Sequence, residues 1–305
     1  MDAAGTSPSC GTLIAEFEIN LAFVAKLVAD QHPDLADLPV RLIDAGWDNA
    51  MFRLGEHLAV RLPRRAAAAA LIVNEQLWLP CLANRLSLPV PRLYRKGSPA
   101  HGYPWKWSIV LWLQGEAADQ CEPQPSEAKR LGAFLRSLHV PAPPNAPTNL
   151  LRGVPLHQRA PAVEARMQRL LVTTNTVTAQ VRHLWNAALQ APIDTPRTWL
   201  HGDLHPRNVL VETGVITGII DWGDITSGDP ATDLASIWML FAEPHAQQDA
   251  LAAYGQLSEA TLHRAIGWAV LFGVALLDSG LVDNPRNAAV GKRILRRVAQ
   301  FIDHG

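Results

Sequence analysis

Apolar residues recur at helical spacing over residues 12–31, where Leu13, Ile14, Phe17, Leu21, Val24, Leu27 and Val28 share a face, and the run stops at His32-Pro33. The period then shortens. Residues 40–46, 50–55 and 57–63 read as short strands, with turns at 46–49 and at Gly55-Glu56. An Ala- and Leu-rich stretch predicts a helix over 66–81, and 89–97 and 105–116 read as two more strands. From Ser126 the pattern turns helical: 126–139 forms one helix, halted by the proline-rich segment 141–147, and 161–189 holds more. Only 198–200 and the segments around 208–221 read as strand, and from Asp233 onward the chain is helical again. Strand-rich first and helix-rich second, the pattern predicts an α+β arrangement in two lobes with the ligand cleft between them.

The length, 305 residues, fits two lobes, and the boundary is expected near 111–116, giving a nucleotide-binding lobe over 1–112 and a catalytic lobe over 113–305. With 48% hydrophobic and 18% charged residues a sizeable core can form. A net charge of −1 gives no electrostatic footprint for nucleic acid or for an anionic membrane. Three scattered cysteines, Cys10, Cys81 and Cys121, argue against a disulfide framework or a zinc cage. The longest apolar run, Ala265 to Leu277, is thirteen residues, short of the roughly 20 a membrane span needs. With no signal-peptide pattern at the N-terminus, a cytoplasmic protein is expected. Oligomeric state is not legible.

The densest chemistry lies in WLHGDLHPRNVLV, residues 199–211, where His201, Asp203, His205 and Asn208 sit between apolar ends. Val209–Val211, the turn Glu212-Thr213-Gly214 and Val215–Ile220 read as a hairpin. It would return Asp221 to the start of the first strand, beside Asn208. An amide and a carboxylate oxygen suit Mg²⁺, with substrate phosphates and water completing the shell. Asp203 has no nucleophile to activate, so its task would be to accept a proton from a substrate hydroxyl. Two other readings stand at this point: His201, Asp203 and His205 as zinc ligands of a hydrolase, and Asp203 and Asn208 as loop caps.

The spacing His201-Gly202-Asp203, Asn208 and Ile220-Asp221-Trp222 resembles the aminoglycoside phosphotransferase family, kinase-like enzymes whose loop reads H-G-D-x-x-x-x-N before an I-D-W or I-D-F metal site. The resemblance continues through residues 223–235. It implies a bilobal protein-kinase-like fold, Mg²⁺, and ATP or GTP as phosphate donor. Asp203 would be the catalytic base, Asn208 and Asp221 would bind the metal, and His201 would pack beneath the loop. Asp233 would brace that loop, although a helix-capping role fits it equally.

The same resemblance asks for a nucleotide cradle. Arg61, in Leu58-Ala59-Val60-Arg61, stands where kinases carry a strand lysine, with Glu75 on the next helix as its partner. Arginine is a departure, yet its fork can hold phosphate and carboxylate together. The turn 46–52 replaces a glycine-rich loop: Gly46 permits a tight turn and Asn49 could approach a phosphate. Backbone around Leu111–Leu113 could hydrogen-bond a purine. The acceptor is expected to be a small hydroxylated molecule, an aminoglycoside first. As a polycation it needs carboxylates, for which Asp224 and Asp278 are the chosen candidates among several acids. Alternatives are a kinase of another small alcohol (a macrolide, choline or a homoserine-like metabolite) and a pseudokinase that binds nucleotide without turnover.

Overall fold

A computed structural model describes residues 15–45 and 48–301. Helix α1 spans Leu21–Gln31, and the Asn20 side chain accepts the Phe23 N–H at its start. The sequence pattern places the start earlier; residues 15–20 are not helical, and 12–14 lie outside the described residues. Strands β1 (Val40–Ala45), β2 (Asn49–Leu54), β3 (Leu58–Pro63), β4 (Leu93–Gly97) and β5 (Trp107–Leu111) form one antiparallel sheet in the order β1-β2-β3-β5-β4, and helix α2 (Ala66–Ala83) packs on β3, β4 and β5.

Alternation decides which side chains face α2. Phe52, Val60 and Ile109 point into one apolar cluster with Val24, Leu27 and Val28 of α1. Their neighbours Met51, Arg61 and Ser108, paired across the three strands, lie on the opposite face. Arg61 is therefore delivered beneath α2, where Glu75 waits.

The remaining chain is mainly helical: α3 (Ala128–Leu138), α4 (Ala160–Thr173), α5 (Ala179–Gln190), the short α6 (Ala231–Leu234) and α7 (Ser236–Leu240), α8 (Pro244–Tyr254), α9 (Glu259–Asp283) and α10 (Pro285–Ala299). The helix expected within 161–189 is two helices, separated at Thr174–Thr178, where β-branched residues and Asn175 disfavour helix and Thr178 caps α5 by accepting the Val181 N–H. β6 (Glu116–Ala117), β8 (Val209–Glu212) and β9 (Val215–Ile219) form a small sheet, and β7 (Thr198–Leu200) pairs with β10 (Thr226–Gly228). The sequence pattern assigns no separate strands at β6 and β10, which are only two and three residues long. α9 and α2 are long and apolar enough to cross a membrane by length and composition, but the most apolar window of α9 is 78% buried inside this fold. It is the central helix of the larger core, where Trp268, Trp238, Trp222 and Trp185 are buried with it.

Candidate active site

The site is assembled around the loop between β7 and β8. Gly202 has φ +85°, and a Cβ there would lie 2.6 Å from the Asp224 carbonyl oxygen, so a side chain would push the loop off the segment below it. Asp233, wholly buried, accepts the backbone N–H groups of His201 at 2.6 Å and Gly202 at 2.9 Å. Helix α6 begins after Pro230 and Asp233 lies inside it, so the aspartate does not cap its own helix. The His201 ring stacks 4.7 Å from Trp222, its Nε2 donates to the Ile220 carbonyl at 2.9 Å and its Nδ1 accepts the Asp203 N–H at 3.2 Å. With both ring nitrogens committed, His201 cannot serve as a zinc ligand. Among the described residues no group of three or more His, Cys, Asp or Glu has metal-holding geometry.

The hairpin folds back as the spacing predicts. Val209 pairs with Ile219, and the Asn208 carbonyl accepts the Ile220 N–H at 2.9 Å, so Asp221 lies one residue beyond a bond to Asn208. Asn208 donates its amide to the Asp203 carbonyl at 2.8 Å, which leaves Oδ1 as the free end of the carboxamide. Asp221 adopts φ 62°, ψ 66°, a left-handed conformation that costs a non-glycine residue roughly 1 kcal/mol or more. Its side chain is 47% exposed.

From the sheet side, Arg61 spans the gap. Its Nη1 donates to both Glu75 oxygens at 2.5 and 2.6 Å, and its Nη2 reaches Asp221 Oδ1 at 2.9 Å. The guanidinium is 3% exposed and its Nε is buried without a partner, as is Oδ1 of Asn49 nearby on β2. Gly46 lies outside the described residues. The N–H groups of Leu111 and Trp112 are engaged by Arg92 and His57 carbonyls at 2.9 and 2.8 Å, so of the expected purine contacts there remain the Leu111 carbonyl and the Leu113 N–H.

Comparison with known proteins places this geometry. The profile of the phosphotransferase enzyme family matches residues 39–268. The chain belongs to the phosphotransferase enzyme family. This phosphotransferase is similar in structure to an aminoglycoside 2'-phosphotransferase-IIIa bound to GDP, with TM-score 0.66, 18% identity and coverage of 92% of this chain and 99% of that one. A macrolide 2'-phosphotransferase from Brachybacterium faecium gives TM-score 0.59, 20% identity and coverage of 90% and 97%. These likenesses confirm the α+β kinase-like fold. In sequence it is 44% identical to viomycin phosphotransferase of Streptomyces vinaceus over 61 residues, 19% of this chain and 21% of that protein. It is 25% identical to the uncharacterized protein YcbJ of Bacillus subtilis (strain 168) over 205 residues. That match takes in 60% of this chain and 63% of the relative.

Two carboxylates of the site are shifted in opposite directions. Burial acts to raise the Asp203 carboxyl, but the Arg152 guanidinium and the His205 imidazole outweigh it and hold the group well below the usual carboxylate range. Arg152 bonds Asp203 Oδ1; Oδ2 has only longer contacts, 3.4 Å each, to His205 Nε2 and Asn208 Nδ2. Asp224, which accepts the Asn149 amide at 2.6 Å, is pushed up to about 6 by burial and by the Asp203 charge beside it. The expectation for Asp278 is corrected. Both its oxygens are taken by Arg169 at 3.0 and 2.7 Å, Arg166 stands 3.6 Å away, and the side chain is 5% exposed, so it closes an ion pair inside the α4–α9 interface. Sequence reasoning missed Arg152, Asn149 and Asp48. Asp48 pairs with Arg65 at 2.5 Å where the phosphate turn was expected. Arg152 and Asn149 have no motif neighbour that could have flagged them; Asp48 lies in the turn 46–52 beside Asn49, the residue expected to approach a phosphate.

Proposed function

We propose that this chain transfers the terminal phosphoryl group of ATP or GTP to a hydroxyl of a small molecule. The observation that carries the reading is the bond from Ile220 N–H to the Asn208 carbonyl, which brings the amide and the Asp221 carboxylate to one end of the hairpin beside Asp203. The donor set fits magnesium: oxygen ligands only, with the Asn208 amide turned so that Oδ1 is free and Asp221 partly exposed. Asn208 and Asp221 would hold the cation, which when bound neutralises charge on the phosphate oxygens. Arg61 Nε, a buried N–H donor without a protein partner, is suited to a phosphate oxygen, whereas the orphaned Asn49 Oδ1 is an acceptor and needs a donor instead.

In this reading the acceptor hydroxyl approaches Asp203 Oδ2. Its oxygen bonds to the terminal phosphorus, the bond to the bridging oxygen breaks, and its proton passes to the carboxylate. Asp233 positions that carboxylate through the loop backbone. The N-lobe over 1–112 supplies the nucleotide cradle, the lobe over 113–305 the acceptor side, and a cytoplasmic setting supplies nucleotide and metal. Aminoglycosides and macrolides, named for the similar proteins, are the first acceptors to try, although of the two carboxylates expected to meet a polycation only Asp224 is left.

The test is a panel of aminoglycosides, macrolides and small alcohols assayed with ATP and GTP, with and without magnesium, reading phosphorylated product by mass. Magnesium-dependent product is expected. Nucleotide binding with no transfer and no nucleotide turnover would make the chain a binding module instead.

A further inference from the structure

Arg152, Arg159, Arg166 and Arg169 follow one another just before and within α4. Arg152 bonds the base and lies 4.9 Å over the Phe272 ring of α9. Arg166 and Arg169 share Asp278. Arg159 stands between these groups in sequence and space: it is the residue from which α4 starts, and the charges of Arg152 and Arg166 both act on it. It is half-buried, its Nε is shut off from solvent with no hydrogen-bond partner, and among the described residues no carboxylate pairs with it. Helix α4 opens there with no acidic residue in its first turn and no side-chain cap, so the positive helix end is not neutralised by the chain either.

Holding a half-buried guanidinium against two like charges is unfavourable unless an anion arrives. Burial and the two neighbouring arginines already lower its affinity for the proton. The carboxylates that face its arginine neighbours are engaged elsewhere: Asp278 by Arg169, Asp203 by Arg152 and Asp224 by Asn149. A polycationic acceptor would add repulsion to this wall, whereas a carboxylate or phosphate matches the arginine fork.

We propose that the acceptor is a hydroxylated anion, its carboxylate or phosphate held by Arg159 with Arg152 while its hydroxyl faces Asp203. The proposal rests on the phosphotransfer reading above and narrows its acceptor. Arg152 then has a second role: an incoming anion competes with Asp203 for it and frees the base as the substrate seats.

The experiment uses matched acceptors that differ in one charged group, gluconate against glucose and glycerol phosphate against glycerol, with kanamycin as the polycation, each with magnesium ATP or GTP. The anionic member of at least one pair should be used about tenfold or more better in kcat/KM. Whichever pair responds identifies the anionic group. Arg159→Gln should collapse that ratio toward one, and Arg159→Lys should keep part of it, with melting curves confirming that both variants fold. Equal use of charged and neutral partners, preference for kanamycin, or a ratio untouched by Arg159→Gln overturns the proposal. Tryptophan fluorescence titrations of gluconate and glycerol phosphate separate the two claims. Saturable binding lost in Arg159→Gln, without phosphate transfer to any acceptor, keeps the anion site and defeats the phosphotransfer reading. Absence of saturable binding by both anions defeats the anion site, whatever the fate of the transfer reaction.

Discussion

Arg61 and Arg159 each bury an Nε that has no protein partner, and the chain treats them differently. Arg61 is enclosed by Glu75 and Asp221, two carboxylates for one cation. Arg159 has other arginines for neighbours. A buried charge with its partners in place fixes geometry, because each bond restrains both side chains. A charge left without them keeps its binding capacity for something outside the chain. On the proposed function the nucleotide wall is thus pre-assembled by internal pairing, and the proposed acceptor wall is completed by its ligand.

The sharpest way to separate the walls is Asp203→Asn. It should cut kcat by about 10²–10⁴-fold with nucleotide affinity unchanged, measured by steady-state kinetics alongside a nucleotide titration; parallel loss of both would merge the two regions. Glu75→Gln attacks the pre-assembled wall by turning Arg61 toward the condition of Arg159. Breaking a buried pair from one side should cost about 3 kcal/mol, read from the urea midpoint. A midpoint matching the parent would mean the pair adds nothing to the fold. Asp221→Ala should weaken nucleotide binding about tenfold in magnesium and much less without it. An equal effect in both conditions would remove the carboxylate from the metal.

The smallest effect concerns Asp224. Its folded-state pKa, about 6, stands above the ordinary 3.8. Between those values the folded protein binds the extra proton, so stability contributed by this group declines as pH rises from about 4 to about 6. Asp224→Asn should abolish that decline, compared by urea midpoints at about pH 4 and about pH 7; an unchanged pH slope would count against the raised pKa.

Legibility followed the range of the interaction. The α+β division, the five strands of the first sheet and the 209–220 hairpin were readable because alternation and turn residues are local signals. The meeting of Asn208 with Asp221 was readable because a hairpin returns its own ends. The pairing of Arg61 with Glu75 followed from a strand and the helix next to it. The partner of Asp278 was not readable. Arg169 is separated from it by 109 residues, and an acid ending an apolar helix looks the same whether it meets a ligand or an arginine. Arg152, 51 residues before Asp203, was invisible for the same reason.

By itself, then, the sequence determined the elements, the loop and the oxygen donors at the hairpin end, since each depends on residues within one turn or one fold-back of the chain. Only the tertiary structure decided which charges are spent on one another and which remain for a ligand. That depends on helices far apart in the chain, α4 and α9, lying side by side, and charge compensation is set by distance in space.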